Sequence, residues 1–376
     1  MSALPVARLL GFEVRVHVSW AIVLAVITVT VVGQAASVVP DATAPQRWLI
    51  GFAVAGGFLL STLAHELGHA LVARRAGVPG GPVIVYFFGG AATPMREAAR
   101  PRDEVVIALA GPVVSLALAA GLLGLAVLAR WLGSGAIVIV GEVVLVVGVL
   151  DLVLGAVNLL PAFPLDGGRV VRGLAWARTG DSAEGLRVAA RIGRWLGIMA
   201  AAAGIALILG MSTVDGLMAA MFGWFLVLSA RSVERAAVLE GLLEGINVED
   251  VMDRGVGGVP AGLTLDTFAD QLLAADRGPV PVVRGSDIVG ILGPRQVKRV
   301  RRARWTETRA GDLMASVDAL PTIAPETTVR TALEHLQRSG LDGLPVTDAE
   351  GYAGVVTRRG IAEAMRDRLG ARAATS

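Results

Sequence analysis

Two histidines four residues apart, His65 and His69, bracket Glu66 in the stretch STLAHELGHALVARR, Ser61 to Arg75. On a helix that spacing puts both imidazoles on one face, about one turn apart. Two rings so placed can grip one Zn²⁺ at about 2.0–2.1 Å each. Glu66 then stands beside the metal, where a general base for its bound water belongs. The chemistry implied is hydrolysis by activated water. The setting is unusual for it, because the stretch belongs to one of the most apolar segments of the chain. Burying Glu66 in lipid without a function would cost about 2–3 kcal/mol or more.

Two histidines leave a catalytic zinc site one protein ligand short. The chain contains no cysteine, which removes thiolate sites and disulfides. The apolar part offers His17, Glu142, Asp151 and Asp166 as further candidates. Asp166 stands in NLLPAFPLDGGR, Asn158 to Arg169. Pro161 and Pro164 stop the preceding helix and hold an extended segment, while Gly167 and Gly168 allow a sharp turn. Non-helical backbone at membrane depth is tolerated only where it lines a cavity or packs against protein. Glu142 and Asp151 read as unpaired carboxylates on one apolar span, and Asp151 lies seven residues before Asn158, on the same face. His17 reads as a polar residue at headgroup level.

The elements that must position these groups follow from composition. Of 376 residues 54% are hydrophobic and 18% charged, with a mean hydropathy of +0.65. That excess of apolar over charged residues places much of the chain in lipid. A span of the hydrocarbon takes about 20 helical residues. Six stretches qualify, roughly 18–38, 49–73, 104–129, 136–157, 192–210 and 214–230. Ala35-Ala36-Ser37 resembles a signal cleavage site, but the run before it is too long for a signal peptide.

Arginine sets the expected orientation. With the N-terminus inside, the inner segments carry Arg8, Arg15, Arg74, Arg75, Arg96, Arg100 and Arg102, then Arg169, Arg172 and Arg178. Arg187, Arg191, Arg194, Arg231 and Arg235 continue the series, against Arg47 and Arg130 outside. The expectation is a multi-pass protein of a bacterial cell membrane with both termini cytoplasmic. His65, about 24 Å along its span from Leu49, then falls in the cytoplasmic half.

HELGH in a membrane span, followed about ninety residues later by N-x-x-P-x-x-P-L-D-G-G-R, resembles the site-2 protease family of intramembrane zinc metalloproteases. The resemblance implies that His65, His69 and Asp166 bind one zinc ion per chain and that Glu66 is the catalytic base. It also implies that Asn158 hydrogen-bonds the tetrahedral intermediate, a role its amide suits. The substrate is then a membrane protein with a transmembrane helix, cut within or near that helix. The β-branched and aromatic stretch GPVIVYFFGGAATP, Gly81 to Pro94, reads as a short hairpin dipping into the membrane. By the same resemblance Phe88, Gly89 and Gly90 pair with an unwound substrate as an added strand. LAGPVVS, Leu109 to Ser115, reads as a packing kink in the third span.

Residues 247–300 and 309–370 form a divergent internal repeat. Its pattern of opening helix, strand, helix, two strands and helix resembles tandem CBS domains, which pack as pairs and often bind adenosine nucleotides. The expected division is a six-span protease domain over 1–235, a linker at 236–246, and CBS domains at 247–305 and 309–370. Nucleotide-binding units commonly end in G-h-x-[ST]-x-x-D. The second repeat keeps Thr357 but lacks the carboxylate, and the first lacks both groups. Adenosine nucleotide binding is therefore expected to be weak or absent, and the pair to serve in homodimerisation or access gating. RQVKRVRRAR, with six basic residues in ten, reads as a solvated face. Nothing else suggests nucleic acid. The fold class expected is thus a polytopic α-helical membrane protein with six transmembrane helices and a membrane-dipping β-hairpin, followed by a cytoplasmic α/β CBS pair. A CBS-gated divalent-metal transporter or channel is the alternative, and it leaves Glu66 unexplained.

Overall fold

The computed structural model describes residues 3–40, 42–78, 81–85, 98–133, 136–210, 212–243, 245–255, 257–275, 279–285, 287–317, 320, 323–349 and 351–374. The chain divides into two units, Met1–Ala237 and Val238–Ser376. Unit one opens with strands β1 (Ala3–Leu9) and β2 (Phe12–His17) and helices α1 (Trp20–Val38) and α2 (Ala44–Arg75). Strand β3 (Val83–Val85) and helix α3 (Pro101–Leu132) follow. Helices α4 (Ala136–Asn158), α5 (Asp166–Thr179) and α6 (Ser182–Gly210) come next, and α7 (Thr213–Leu243) begins in unit one and ends in unit two.

Among the described residues five helices, α2, α3, α4, α6 and α7, are long and apolar enough to cross a membrane, and α1 carries the shorter apolar stretch Trp20–Ala35. Their outward faces present side chains such as Leu60, Val127 and Leu209, which in a bilayer meet acyl chains rather than water. Helices in lipid gain little from burying apolar surface against one another, so small residues decide where backbones approach. Gly197 of α6 faces the backbone of Gly223 on α7, and Gly216 of α7 faces Gly204 of α6. On the other side Gly68 of α2 lies against Ala110 and Val114 of α3, where an added methyl would sit 3.1 Å from the Ala110 carbonyl oxygen and 3.0 Å from Val114 Cγ2.

The N-terminal hairpin was not expected from sequence. β1 and β2 pair antiparallel around Leu10 and Gly11, both at positive φ (53° and 86°), a turn that glycine adopts freely and leucine does not. Arg74, near the end of α2, donates to the Leu10 carbonyl at 2.7 Å and lies over the Phe12 ring at 4.7 Å. β3 joins β2 in parallel, so the sheet runs β1-β2-β3. Of the expected hairpin over 81–94, the strand Val83–Val85 is an edge strand among the described residues, and Phe88, Gly89 and Gly90 lie outside them.

Unit two contains β4 (Val259–Pro260), α8 (Leu265–Ala275), β5 (Val280–Arg284), β6 (Asp287–Leu292) and α9 (Pro294–Val297). It continues with α10 (Ala310–Leu313), β7 (Ala315–Ser316), α11 (Val329–Ser339), β8 (Gly343–Asp348), β9 (Gly351–Thr357) and α12 (Arg358–Ala374). Its two apolar cores do not follow the two sequence repeats. Ala310, from the opening of the second repeat, is buried with Leu265, Phe268, Val282 and Leu292 of the first. β7 pairs with β6. Reciprocally, Val248 from the opening of the first repeat and Ile246 just before it are buried with Ile323, Val329, Leu344 and Val356 of the second. The arginine-rich stretch 295–304 forms no single helix; Arg299, Arg301, Arg302 and Arg304 are exposed along it.

Candidate metal centre

The 3.6-residue period of α2 carries His65 and His69 to one face, where they are 3% and 4% exposed. Their rings meet edge to face at 79°, with centroids 4.9 Å apart. Asp166 reaches them from the other side. α4 ends at Asn158, and the proline-bearing segment after it turns through Ala162 N–H to Leu160 O (2.7 Å) and Leu165 N–H to Ala162 O (2.9 Å). Asp166 then opens α5, where a carboxylate also suits the helix dipole. Gly167 and Gly168 make this seating possible: a side chain at 167 would strike the carbonyl oxygens of Leu159 and Leu160, and one at 168 would lie 2.7 Å from Phe163 N.

The result is a triangle. Asp166 Oδ2 lies 3.2 Å from His65 Nε2 and 3.2 Å from His69 Nε2, and the two Nε2 atoms are 3.2 Å apart. The outer nitrogens fix the protonation. His69 Nδ1 is 2.7 Å from the Ile107 carbonyl oxygen, which only accepts, so Nδ1 carries the proton and Nε2 of the neutral ring presents a lone pair. His65 Nδ1 is 2.9 Å from Ser115 Oγ, a hydroxyl able to accept in the same way. Acceptor atoms of two rings and a carboxylate thus converge, and a cation is what satisfies them. Tetrahedral zinc with legs of about 2.0–2.1 Å has donor–donor edges of about 3.3–3.4 Å. The three 3.2 Å separations match one face of that tetrahedron, and an ion held by these three residues would keep a fourth position open, as catalytic sites require.

α3 supplies what surrounds the ligands. Ile107, Gly111 and Ser115 recur at intervals of four on one side of it. Ile107 and Ser115 orient the rings, as outer partners of metal-bound histidines do. Gly111 makes room: a methyl there would collide with His69 Nε2 and lie 2.6 Å from His65 Nε2. Sequence reading took this stretch as a packing kink. Its signal was a glycine and a serine one turn apart in an otherwise apolar helix; the Ile107 carbonyl has no residue signature at all.

The Peptidase family M50 model matches residues 53–131 and 133–200, which include both histidines and Asp166. Rip3 of Mycobacterium tuberculosis is 35% identical over 363 residues, 96% of this chain and 92% of that protein. This chain belongs to peptidase family M50, the site-2 proteases. In the same comparison sll0528 of Synechocystis is 29% identical over 92% of this chain and 90% of its own. MJ0392 of Methanocaldococcus jannaschii is 24% identical over 95% and 94%. All three relatives carry the words zinc metalloprotease in their names. A CBS domain model matches residues 310–367. The protein is accordingly a multi-pass, zinc-dependent M50 metalloprotease with a C-terminal CBS domain.

The other residues singled out from sequence distribute around this M50 centre. Glu66 is half-buried, close to His69, His65, Asp166 and Arg169. Asn158 donates its amide to the Leu154 carbonyl at 3.0 Å. It also lines an apolar cavity of about 790 Å³ between the end of α4, the proline segment and α7, with Pro164, Met221 and Trp224. Asp151 is 0% exposed and lies close to Ser61 and His65. Glu142 corrects the sequence reading. It is paired with Arg130 across the α3–α4 hairpin, 2.8 Å from Nη2 and 3.0 Å from Nε. His17 stands apart from the triangle, with Nδ1 2.9 Å from Ser19 Oγ. Among the described residues His65, His69 and Asp166 form the one group with metal-ligand spacing. Among the described residues no relay of such groups runs across the bundle.

Proposed function

We propose that this M50 metalloprotease hydrolyses peptide bonds within or near the transmembrane segments of membrane-anchored substrates, with His65, His69 and Asp166 as the ligands of one zinc ion. The observation that carries the assignment is the triangle of acceptor atoms, each pair 3.2 Å apart, inside a bundle of membrane-length helices. Zinc held there supplies Lewis acidity and a lowered pKa for bound water. Glu66, on the residue after His65, takes the proton of the attacking water and hands it to the leaving nitrogen. Asn158 keeps a second amide N–H beyond the one given to Leu154. That donor stabilises the developing oxyanion. Phe88, Gly89 and Gly90, continuing the chain from edge strand β3, align an extended substrate by strand addition.

In this reading α1 is the sixth span, and the arginine asymmetry sets both termini in the cytoplasm. The tail comprises CBS domains at 247–305 and 309–370, joined to the protease by a linker at 236–246. It works in homodimerisation or access gating, with adenosine nucleotide binding weak or absent. The test is the full-length protein in detergent or liposomes, with zinc quantified per chain and a membrane-anchored reporter mapped for its cut site by mass spectrometry. Cleavage at or inside the reporter's membrane segment, lost in Glu66→Gln, is the expected result. Cleavage confined to soluble loops would overturn the substrate class.

A further inference from the structure

The polar side of α3 extends one turn beyond the histidine supports. Glu104 is 3% exposed although charged. Its Oε1 accepts from Arg169 Nε at 3.0 Å, and Arg172 Nη1 lies 4.0 Å away. Arg169 is three residues after Asp166 on α5, hence on the same face one turn along. Gly173 closes the contact: a side chain there would lie 2.6 Å from Val105 Cγ2 and 3.0 Å from the Pro101 carbonyl oxygen, so α5 rests directly on the first turns of α3. One helix therefore addresses all three ligands. Ser115 meets His65, the Ile107 carbonyl meets His69, and Glu104 meets the helix that begins with Asp166.

We propose that Glu104 is a positioning residue of the metal centre: by holding Arg169 it fixes the first turn of α5, and so keeps the Asp166 carboxylate on the two imidazoles. The inference rests on the reading of His65, His69 and Asp166 as the zinc site. Two physical effects act together. The irregular segment before Asp166 leaves the direction of α5 to tertiary contacts, and the buried pair with Glu104 is a directional one. The pair also commits the Arg169 guanidinium. Without its partner that cation, one turn from Asp166, competes with the metal for the same carboxylate and repels the dication it would hold. Outer partners of metal ligands typically change affinity 10–100-fold when lost.

The test is zinc affinity of the full-length protein in detergent, measured by competition with a chelator on the monodisperse fraction, beside its thermal midpoint without metal. Glu104→Gln should bind zinc at least about 10-fold more weakly. Arg169→Gln should fall less, because it removes the competing cation together with the tie. The double variant should be no worse than Glu104→Gln alone, since both changes break one unit. Wild-type zinc affinity in Glu104→Gln, or losses that multiply in the double variant, would overturn the proposal. A lowered thermal midpoint with unchanged zinc affinity would make the pair merely structural and overturn it equally. If Glu104→Gln does not fold, Arg169→Gln decides alone, and full affinity there sinks the idea. Asp166→Asn separates the two readings. Zinc retained in that variant breaks the metal-site reading; zinc lost there but kept in Glu104→Gln breaks only this inference.

Discussion

Two places in this chain carry residues that suggest a ligand, and their bonding is opposite. In the membrane unit, lone pairs of His65, His69 and Asp166 face one another at 3.2 Å. In the tail, the groups near the end of β9 are already engaged within the protein. Thr357 Oγ1 accepts from Gly360 N–H at 3.0 Å. Arg358 donates to the carbonyls of Leu336 (2.7 Å) and Leu341 (3.2 Å), and Arg359 pairs with Glu363 at 2.9 Å. Buried polar groups are expensive unless paired. A site that leaves acceptors facing acceptors gains most from a cation, whereas in the tail Thr357, Arg358 and Arg359 each already hold a partner within the protein. Residue type alone does not distinguish the two cases; the partners do.

The comparison breaks most visibly at the chemistry. Glu66→Gln should abolish turnover of a membrane-anchored reporter while zinc content by atomic absorption stays at one per chain; loss of both together would make Glu66 a structural group. Gly111→Ala should empty the site, because its methyl occupies the space of the two Nε2 atoms. Gly121, on the same helix, has nothing within 4 Å of an added methyl, so Gly121→Ala should bind zinc as the wild type does. Equal zinc in the two variants would show that the approach of α3 to the imidazoles is not needed.

Smaller effects sharpen the contrast. Asn158→Ala should lower single-turnover cleavage about 100-fold with zinc retained; an unchanged rate removes its amide from the reaction. Ser115→Ala should weaken zinc binding about 10-fold in a chelator competition, and an unaltered constant would show that His65 needs no orienting partner. In the tail the expectation reverses. Arg358→Ala should cost about 1–3 kcal/mol of stability in denaturant, from its bonds to two backbone carbonyls. ATP or AMP at millimolar concentration should leave the thermal midpoint of wild type unchanged. A nucleotide-dependent rise that Arg358→Ala abolishes would place that guanidinium in a binding site instead.

How far these features are legible in the sequence depends on the range of the interaction behind them. His65, Glu66 and His69 can be read because the helix period alone sets them side by side. The long apolar helices can be read because lipid imposes a length. Asp166 is one of four candidates on residue chemistry, and only the proline and diglycine pattern around it favours it. The support from α3 is hidden. A main-chain carbonyl has no letter, and Gly111 looks like any small residue at a helix crossing. Glu142 reads as unpaired because Arg130 lies on the neighbouring helix, twelve residues back. The N-terminal hairpin shows no clear alternation, and its turn places Leu10, not only Gly11, at positive φ. The composition of the two cores in the tail cannot be read at all, because each repeat looks self-sufficient as a string.

Neither half of the tail holds a complete apolar core by itself. Each core of the tail borrows its opening segment from the other repeat: Ala310 and β7 complete the first, and Ile246 and Val248 complete the second. A deletion ending between the repeats removes a strand and a buried alanine from the half it spares. Either half cut out alone lacks part of its own apolar core. A fusion that keeps both cores whole has to begin before Ile246 and run past Ile361.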